Sequence, residues 1–349
     1  MKKQIKYTPK SCVWELTLNC NARCIHCGSS AGVVRKNELS TDEALCLIED
    51  LRALGCESIT FSGGEPLLRR DWEILGRAVT KAGMRLEMIT NGLAVELLAD
   101  RIARIGFFAV TFSIDGDAEV HDLLRRVPKG LSRLLEGARA LKKRGVLIGA
   151  ATQVNLLNKD KLKDIHQILI ENDFDGWQVQ LTMPHGEAAK NKGSICLDPK
   201  DLPALEQTLV NLKKRSNFFL QAADNIGYMS RCEPILRSGR RGENNIFTGC
   251  HAGMNVIGIS SDGNVRGCLS LPAFFNEGNI RTRSLKEIWT DKSAFAYNRS
   301  FNVNDLKGAC AHCSFNKICR AGCKSLTFAT TGTTTNNPYC LRRLEEGWE

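Results

Sequence analysis

Cys20-Asn21-Ala22-Arg23-Cys24-Ile25-His26-Cys27 holds three thiols, spaced by three residues and then by two. Structural zinc closes its tetrahedron with four ligands. A 4Fe–4S cluster normally takes four thiolates, one for each iron. A triplet with no fourth cysteine nearby leaves one iron open to a ligand that is not protein. The triplet follows directly on a short apolar run at 13–18, so it falls where a strand ends.

Further apolar runs occur at 58–61, 85–90, 107–114, 146–154 and 177–181. Amphipathic segments at 41–54, 72–81, 95–105, 131–143 and 161–170 separate them. Ser40 with Glu43 three residues later is a capping box for the first of these helices. Gly55, Gly83, Gly106 and Gly145 stand just past four helices, where a left-handed residue is expected. Strand–helix alternation of this kind predicts an α/β fold, a partial six-stranded parallel (β/α) barrel. Ligands of such sheets bind at the carboxyl ends of the strands, and the triplet sits at that end.

The chain has 349 residues, enough for a barrel with an appended domain. The reading divides it into a barrel at 1–220, a connection at 221–249 that mixes Gly, Arg, Asn and Ser, and a small cysteine-rich domain of short strands and loops at 250–349. There 256–260 and 264–266, around Ser261-Asp262-Gly263, read as a hairpin. The basic start Met1-Lys2-Lys3 lacks the apolar stretch of a signal peptide, and no run is long enough to span a membrane. Fifteen cysteines without an export signal point to a reducing cytoplasm and to metal binding. Cys46 and Cys56 read as small buried hydrophobes. The formal charge of +10 falls to roughly +6 if three clusters are bound. With no basic run carrying aromatics, nucleic acid is not an expected partner.

After the later strands come Ser62-Gly63-Gly64-Glu65-Pro66, Thr90-Asn91-Gly92 and Ser113-Ile114-Asp115-Gly116. With the triplet, this order resembles the radical S-adenosylmethionine (SAM) superfamily across the whole N-terminal domain. The resemblance implies that Cys20, Cys24 and Cys27 hold a 4Fe–4S cluster and that the open iron is chelated by SAM. It implies SAM contacts from Gly63, Gly64, Glu65, Asn91, Ser113, Asp115 and Arg125, with Gln153 and Leu181 near the adenine. His26 stands where the family usually has an aromatic ring near that base. Paired glycines would let backbone approach the amino group of SAM. Reductive cleavage of SAM yields a 5′-deoxyadenosyl radical; the radical chemistry belongs to the cofactor and its positioning to the protein.

The later order Cys250, Gly263-x4-Cys268, Cys310-x2-Cys313-x5-Cys319-x3-Cys323 and Cys340 resembles a SPASM domain with two auxiliary clusters. By position, Cys310, Cys313, Cys319 and Cys340 would hold one, and Cys250, Cys268 and Cys323 the other. Some relatives have a further cysteine where Val256 lies here, so the second set would be open or would borrow Cys232. Zinc is the rival for these later cysteines, but seven thiols cannot close two four-thiolate sites.

SPASM enzymes act mainly on polypeptides. The resemblance therefore implies an oxidoreductase that modifies an unactivated C–H position of a ribosomally made precursor peptide. About ten residues precede the first strand, so a separate leader-peptide-binding protein is expected, with a low-potential flavodoxin or ferredoxin as electron donor. The alternatives are a sulfatase maturase that forms formylglycine, tetrapyrrole or small-molecule side-chain chemistry, and a non-catalytic electron-transfer protein. No general acid or base is assigned; Asp262, Asp224 and His185 are the available groups.

Overall fold

The computed structural model describes residues 7–239 and 245–348; the basic segment at 1–6 lies outside them. Strand β1 (Ser11–Thr17) buries both faces over most of its length and takes a central place in the sheet. Beside it in sequence order run β2 (Ser58–Gly63), β3 (Arg85–Thr90), β4 (Ala109–Ser113), β5 (Leu147–Val154), β6 (Gly176–Leu181) and β7 (Phe219–Ala222), each parallel to the last. The crossovers carry α1 (Thr41–Ala53), α2 (Trp72–Lys81), α3 (Val95–Ile105), α4 (Ala118–Arg125), α5 (Gly130–Lys142), α6 (Leu162–Glu171) and α7 (Leu202–Arg215). The Ser40–Glu43 capping box forms, and the four glycines past the helices all have positive φ.

Two features extend the expected six strands. Strand β7 adds a seventh parallel strand at one edge and runs through the boundary placed at 220. At the other edge β8 (Val256–Ile259) pairs parallel with β1, Ser11 opposite Val256. Antiparallel β9 (Asn264–Arg266) and β10 (Gly278–Asn279) continue from β8. One ten-stranded sheet thus joins the barrel to the cysteine-rich region. Val256 opens β8 and is tied into the sheet.

The register brings the motifs together. Glu15 lies opposite Ser62, Ser113 opposite Ala151, and Gln153 opposite Gln180. The β1–β2 register shifts between Glu15 and Thr17, and such an irregularity re-aims the chain, here into the cysteine loop. Val13 and Glu15 of β1 face the same cavity as Gln178 and Gln180 of β6. Strands so far apart in the sheet can share a cavity only if the sheet curls, which makes it a partial barrel. The opposite side packs an apolar core in which Trp14 meets Phe61 edge-on at 5.9 Å, and Phe61 meets Phe107 at 6.2 Å.

Candidate active site

All three thiols of the triplet line a cavity of about 310 Å³ at the carboxyl ends of the strands. The loop that carries them is bound from inside. Ala22 N donates to Cys20 Sγ at 3.4 Å and Ala31 N to Cys27 Sγ at 3.4 Å. Arg23 bridges the loop, donating from Nη1 to Cys20 O and from Nη2 to Gly32 O at 3.1 Å. Burial raises the Cys20 thiol and takes Cys24 up to about 11, with Arg125 opposing the rise at Cys24. As free thiols these groups stay protonated; a metal replaces the proton.

The glycine motif holds this loop from the β2 side. Gly64 N donates to Thr17 O at 2.8 Å and Glu65 N to Asn19 O at 2.7 Å. A Cβ on Gly64 would stand 2.1 Å from Asn19 O, and one on Gly63, at φ +131°, would stand 2.3 Å from Thr17 O. Both clashes are with backbone. The glycines also line the cavity, but in this structure what requires them is the close approach of β2 to the cysteine loop.

Glu65 and Asp115 are placed differently from the expectation of direct cofactor contact. Glu65 is buried and accepts from Leu67 N at 3.3 Å, Thr90 Oγ1 at 2.9 Å and Asn91 N at 2.8 Å. Burial pushes its carboxyl up to about 7 against those donors. It braces Asn91, whose Nδ2 reaches Asn21 Oδ1 at 2.7 Å and Cys20 Sγ at 3.8 Å. Asp115 is fully buried, and its Oδ2 faces Arg125 Nη2 at 2.7 Å and His26 Nε2 at 3.0 Å. Oδ1 accepts from Gln153 N at 2.9 Å. Burial alone would raise this carboxyl, but Arg125 and His26 outweigh it and hold it well below the carboxylate range. His26 is therefore a close partner of Asp115, its Nε2 3.0 Å from Oδ2, although it also borders the cavity.

Ser113, Arg125, Gln153 and Leu181 all reach the cavity wall, with Asn91. Sequence reasoning missed Gln178, Gln180 and Met183, which also line it. The period-two pattern of β6 was the available signal: Trp177 and Val179 are buried in the core, so Gln178 and Gln180 face the other way. His185 closes one side, its Nε2 3.0 Å from Ser325 Oγ. His121 was also missed; its Nδ1 accepts from Asp115 N at 3.3 Å. Asp262 caps its own hairpin through Ser260 and Asn264 and does not line the cavity.

The later cysteines form two groups. Cys310, Cys313, Cys319 and Cys340 surround one small cavity with Tyr228, Met229 and Asn337. Asn337 N donates to Cys310 Sγ at 3.5 Å and Phe315 N to Cys313 Sγ at 3.4 Å. Burial first, with Cys310 and Cys313 adding to it, takes Cys340 up to about 12. In the other group, burial raises Cys323, and Cys250 and Cys268 add to the rise. Cys232 belongs to neither: after burial its charged neighbours are Glu206, Glu345 and Lys214. Of the two alternatives, a three-thiol set and one that borrows Cys232, these surroundings favour the first. Asp224 does act on Cys268, raising it slightly beyond the effects of burial and of Cys250.

The donor set tests the fit to iron–sulfur groups. Among the described residues no three Cys, His, Asp or Glu side chains close tightly enough for a single ion, whereas thiols around one zinc would stand roughly 3.8 Å apart. Amide N–H groups aimed at sulfur are the hydrogen bonds that tune cluster thiolates. Together, the curled parallel sheet, the three-thiol loop at its carboxyl end and the adjoining cavity define an iron–sulfur enzyme of the partial-barrel class.

Comparison with known proteins supplies the family. Residues 14–169 match the radical SAM superfamily model, and residues 250–314 match the SPASM iron–sulfur cluster-binding domain. The chain belongs to the radical SAM superfamily and carries a SPASM domain; a 4Fe–4S cluster and SAM are its cofactors. It is 31% identical to an AdoMet-dependent heme synthase of Methanosarcina barkeri, over 96% of this chain and 97% of that protein. It is 26% identical to an Fe-coproporphyrin III synthase of the same organism, over 96% of this chain and 88% of that one. A pre-heme d1 synthase of Dinoroseobacter shibae is also 26% identical, over 97% and 88%. Among solved structures, Streptococcus suis SuiB bound to S-adenosylmethionine superposes with a TM-score of 0.74 at 19% identity, over 95% of this chain and 76% of that one. Native anSMEcpe with bound AdoMet gives 0.74 at 19% identity, over 96% and 95%. At that identity the structural likeness establishes the fold alone.

These relatives correct the expected substrate. The peptide-maturase reading, and with it the leader-binding partner, rested on the SPASM cysteine pattern. The three relatives that are 26–31% identical over 88–97% of their own length are tetrapyrrole enzymes. Among the described residues no helix is long and apolar enough to cross a membrane.

Proposed function

We propose that this protein modifies a peripheral side chain of a tetrapyrrole at an unactivated C–H position, in the manner of an AdoMet-dependent heme synthase. The observation that carries the reading is similarity to three kinds of tetrapyrrole synthase along nearly the entire chain. Bound at the triplet, the cluster and SAM supply a 5′-deoxyadenosyl radical. The protein's own part is to hold, orient and exclude water. Cys20, Cys24 and Cys27 hold the cluster on a loop that Gly63 and Gly64 keep in place. Arg125, fixed by Asp115, turns its free edge toward Cys24 and suits the carboxylate of SAM. Ser113 and Gln153 offer hydrogen bonds to ribose and adenine, and Leu181 an apolar wall.

The two later thiol groups suit two auxiliary clusters, one held by four cysteines and one by Cys250, Cys268 and Cys323. Leu269 and Ser270, which follow Cys268, form part of the cavity wall, so the three-thiol group borders the substrate space. A flavodoxin or ferredoxin is the class of reductant such a site needs. The test is anaerobic turnover of the reconstituted enzyme with SAM, dithionite and iron coproporphyrin III or related iron tetrapyrroles. Deoxyadenosine formation should rise with a tetrapyrrole, and the tetrapyrrole should change mass. No stimulation by any of them would sink the reading.

A further inference from the structure

The active-site cavity measures about 310 Å³, near the lower end of the ~300–1,000 Å³ range that encloses one drug-sized ligand. SAM is such a ligand. If the tetrapyrrole reading holds, only the edge of the macrocycle bearing the reacting side chain can enter beside SAM. The ring itself must lie across the mouth, against the wall formed by the C-terminal region.

That wall is fastened to helix α8 (Lys324–Thr331). Ser325 Oγ donates to Ser270 O at 2.5 Å and lies 3.0 Å from His185 Nε2; Ser270 and His185 both line the cavity. Phe328 stands three residues further along the helix, on the same face as Ser325 and about 4.5 Å along its axis. Phe274 follows Ser270 by four residues, so chain length keeps it within about 14 Å of the wall. The rings of Phe274 and Phe328 are nearly parallel, 8° apart with centroids 6.3 Å apart. Phe275 braces both edge-on, at 5.3 Å and 4.9 Å.

Phe274 is nevertheless 82% exposed. An aromatic ring oriented by its neighbours yet left in water is the kind of apolar surface that marks a binding site. We propose that Phe274, with Phe328 and Phe275, is the platform on which the tetrapyrrole macrocycle stacks while its side chain enters the cavity. The occupant is a planar aromatic ring because the platform offers ring faces near a cavity too small to hold the whole molecule beside SAM. A substrate edged with carboxylates also suits a chain whose formal charge of +10 would stay at roughly +6 with three clusters bound. The proposal rests on the tetrapyrrole reading and adds where the ring lies.

The test titrates reconstituted, SAM-loaded full-length protein with metal-free coproporphyrin III, followed by the shift of its Soret band. Phe274→Ala should weaken binding about three- to tenfold, the range expected for one aromatic pair. Phe274→Trp should retain it. Phe108→Ala removes another exposed aromatic, at the opposite ends of the strands, and should leave binding unchanged. Deoxyadenosine released without tetrapyrrole should be equal in Phe274→Ala and wild type, confirming an intact SAM site. Wild-type binding that saturates and is unchanged in Phe274→Ala, or weakened equally in Phe108→Ala, overturns the platform and spares the tetrapyrrole reading. Absence of saturable wild-type binding overturns both.

Discussion

Arg125 and Asp115 meet through a single oxygen: Nε and Nη2 of the guanidinium lie 2.9 and 2.7 Å from Asp115 Oδ2. The remaining nitrogen, Nη1, points to Cys24 Sγ at 3.9 Å. The carboxylate thus spends itself on orientation, and the arginine edge left over faces the cluster loop. Asp115→Asn removes the charge while keeping the shape, leaving Arg125 buried without its counter-ion. Breaking a buried pair this way costs about 3–5 kcal/mol. We expect a clearly lower thermal midpoint for the variant and SAM binding weakened at least about tenfold. Calorimetric titration of SAM into the reconstituted variant checks this, and wild-type affinity would remove Arg125 from the binding role.

Gly64→Ala tests the second support of the loop. Its Cβ would meet Asn19 O and Leu18 O, backbone atoms with no room to give. Overpacking of this kind costs typically about 1–3 kcal/mol, here concentrated on the segment leading into Cys20. The variant should lose about four of the irons it would otherwise hold, the content of one 4Fe–4S cluster, and form no deoxyadenosine. The two later thiol groups should keep theirs. Iron and sulfide analysis after anaerobic reconstitution reads the difference, and full iron content would show that the loop tolerates the extra carbon.

These supports show what the sequence could and could not convey. The strands and motifs were legible because each motif closes a strand, from Cys20 after β1 to Asp115 after β4. Strand β7 was not, because four residues with two buried positions carry too little pattern. The β1–β8 pairing joins Ser11 to Val256, a distance in sequence that local periodicity cannot bridge. Residue type alone does not distinguish a carboxylate that touches a ligand from one that braces a neighbour. Burial and donors make that distinction for Glu65 and Asp115. The substrate was illegible because the same cysteine pattern serves enzymes that act on different molecules.

The buried imidazole of His121 gives a pH signature. Burial first, and Arg125 second, lower it to about 3, and Asp115 N donates to its Nδ1, which requires the neutral ring. Between its ordinary value of about 6.5 and about 3 the unfolded chain binds a proton that the native state refuses. This contribution is therefore complete above about pH 6.5 and is lost as the pH falls, by up to roughly 1.4 kcal/mol per unit. His121→Gln should flatten the acid limb of stability relative to wild type. Denaturant unfolding at several pH values between 4 and 7 checks it, and parallel limbs would contradict it.

Cys232 and Cys323 make opposite predictions. Cys323 shares its surroundings with Cys250 and Cys268, whereas the charged groups that act on Cys232 are Glu206, Glu345 and Lys214. Cys232→Ser should leave iron content and the cluster absorption unchanged. Cys323→Ser should lose about four irons per chain, the content of one 4Fe–4S cluster. Equal losses in both variants would return Cys232 to the ligand set.

Lys324 is 1% exposed, and its Nζ donates to Arg320 O at 2.7 Å and Thr334 O at 2.9 Å. Burial lowers its pKa, while Cys250 from one thiol group and Cys319 and Cys310 from the other work to raise it. A buried lysine held by two carbonyls and by the face of Phe301, 5.6 Å from its Nζ, is costly unless anionic groups surround it, and two thiolate-held clusters would supply that anionic field. In return, the fixed positive charge would favour the more reduced state of each cluster bound there. Lys324→Met removes the charge at similar length. It should make the midpoint potentials of both auxiliary clusters more negative by tens of millivolts, on the order of 1 kcal/mol for each one-electron step. Iron content should hold. A redox titration followed by electron paramagnetic resonance measures both midpoints together. A shift in one cluster alone would place the lysine charge with that group, and no shift in either would mean that the charge is compensated locally by the backbone carbonyls.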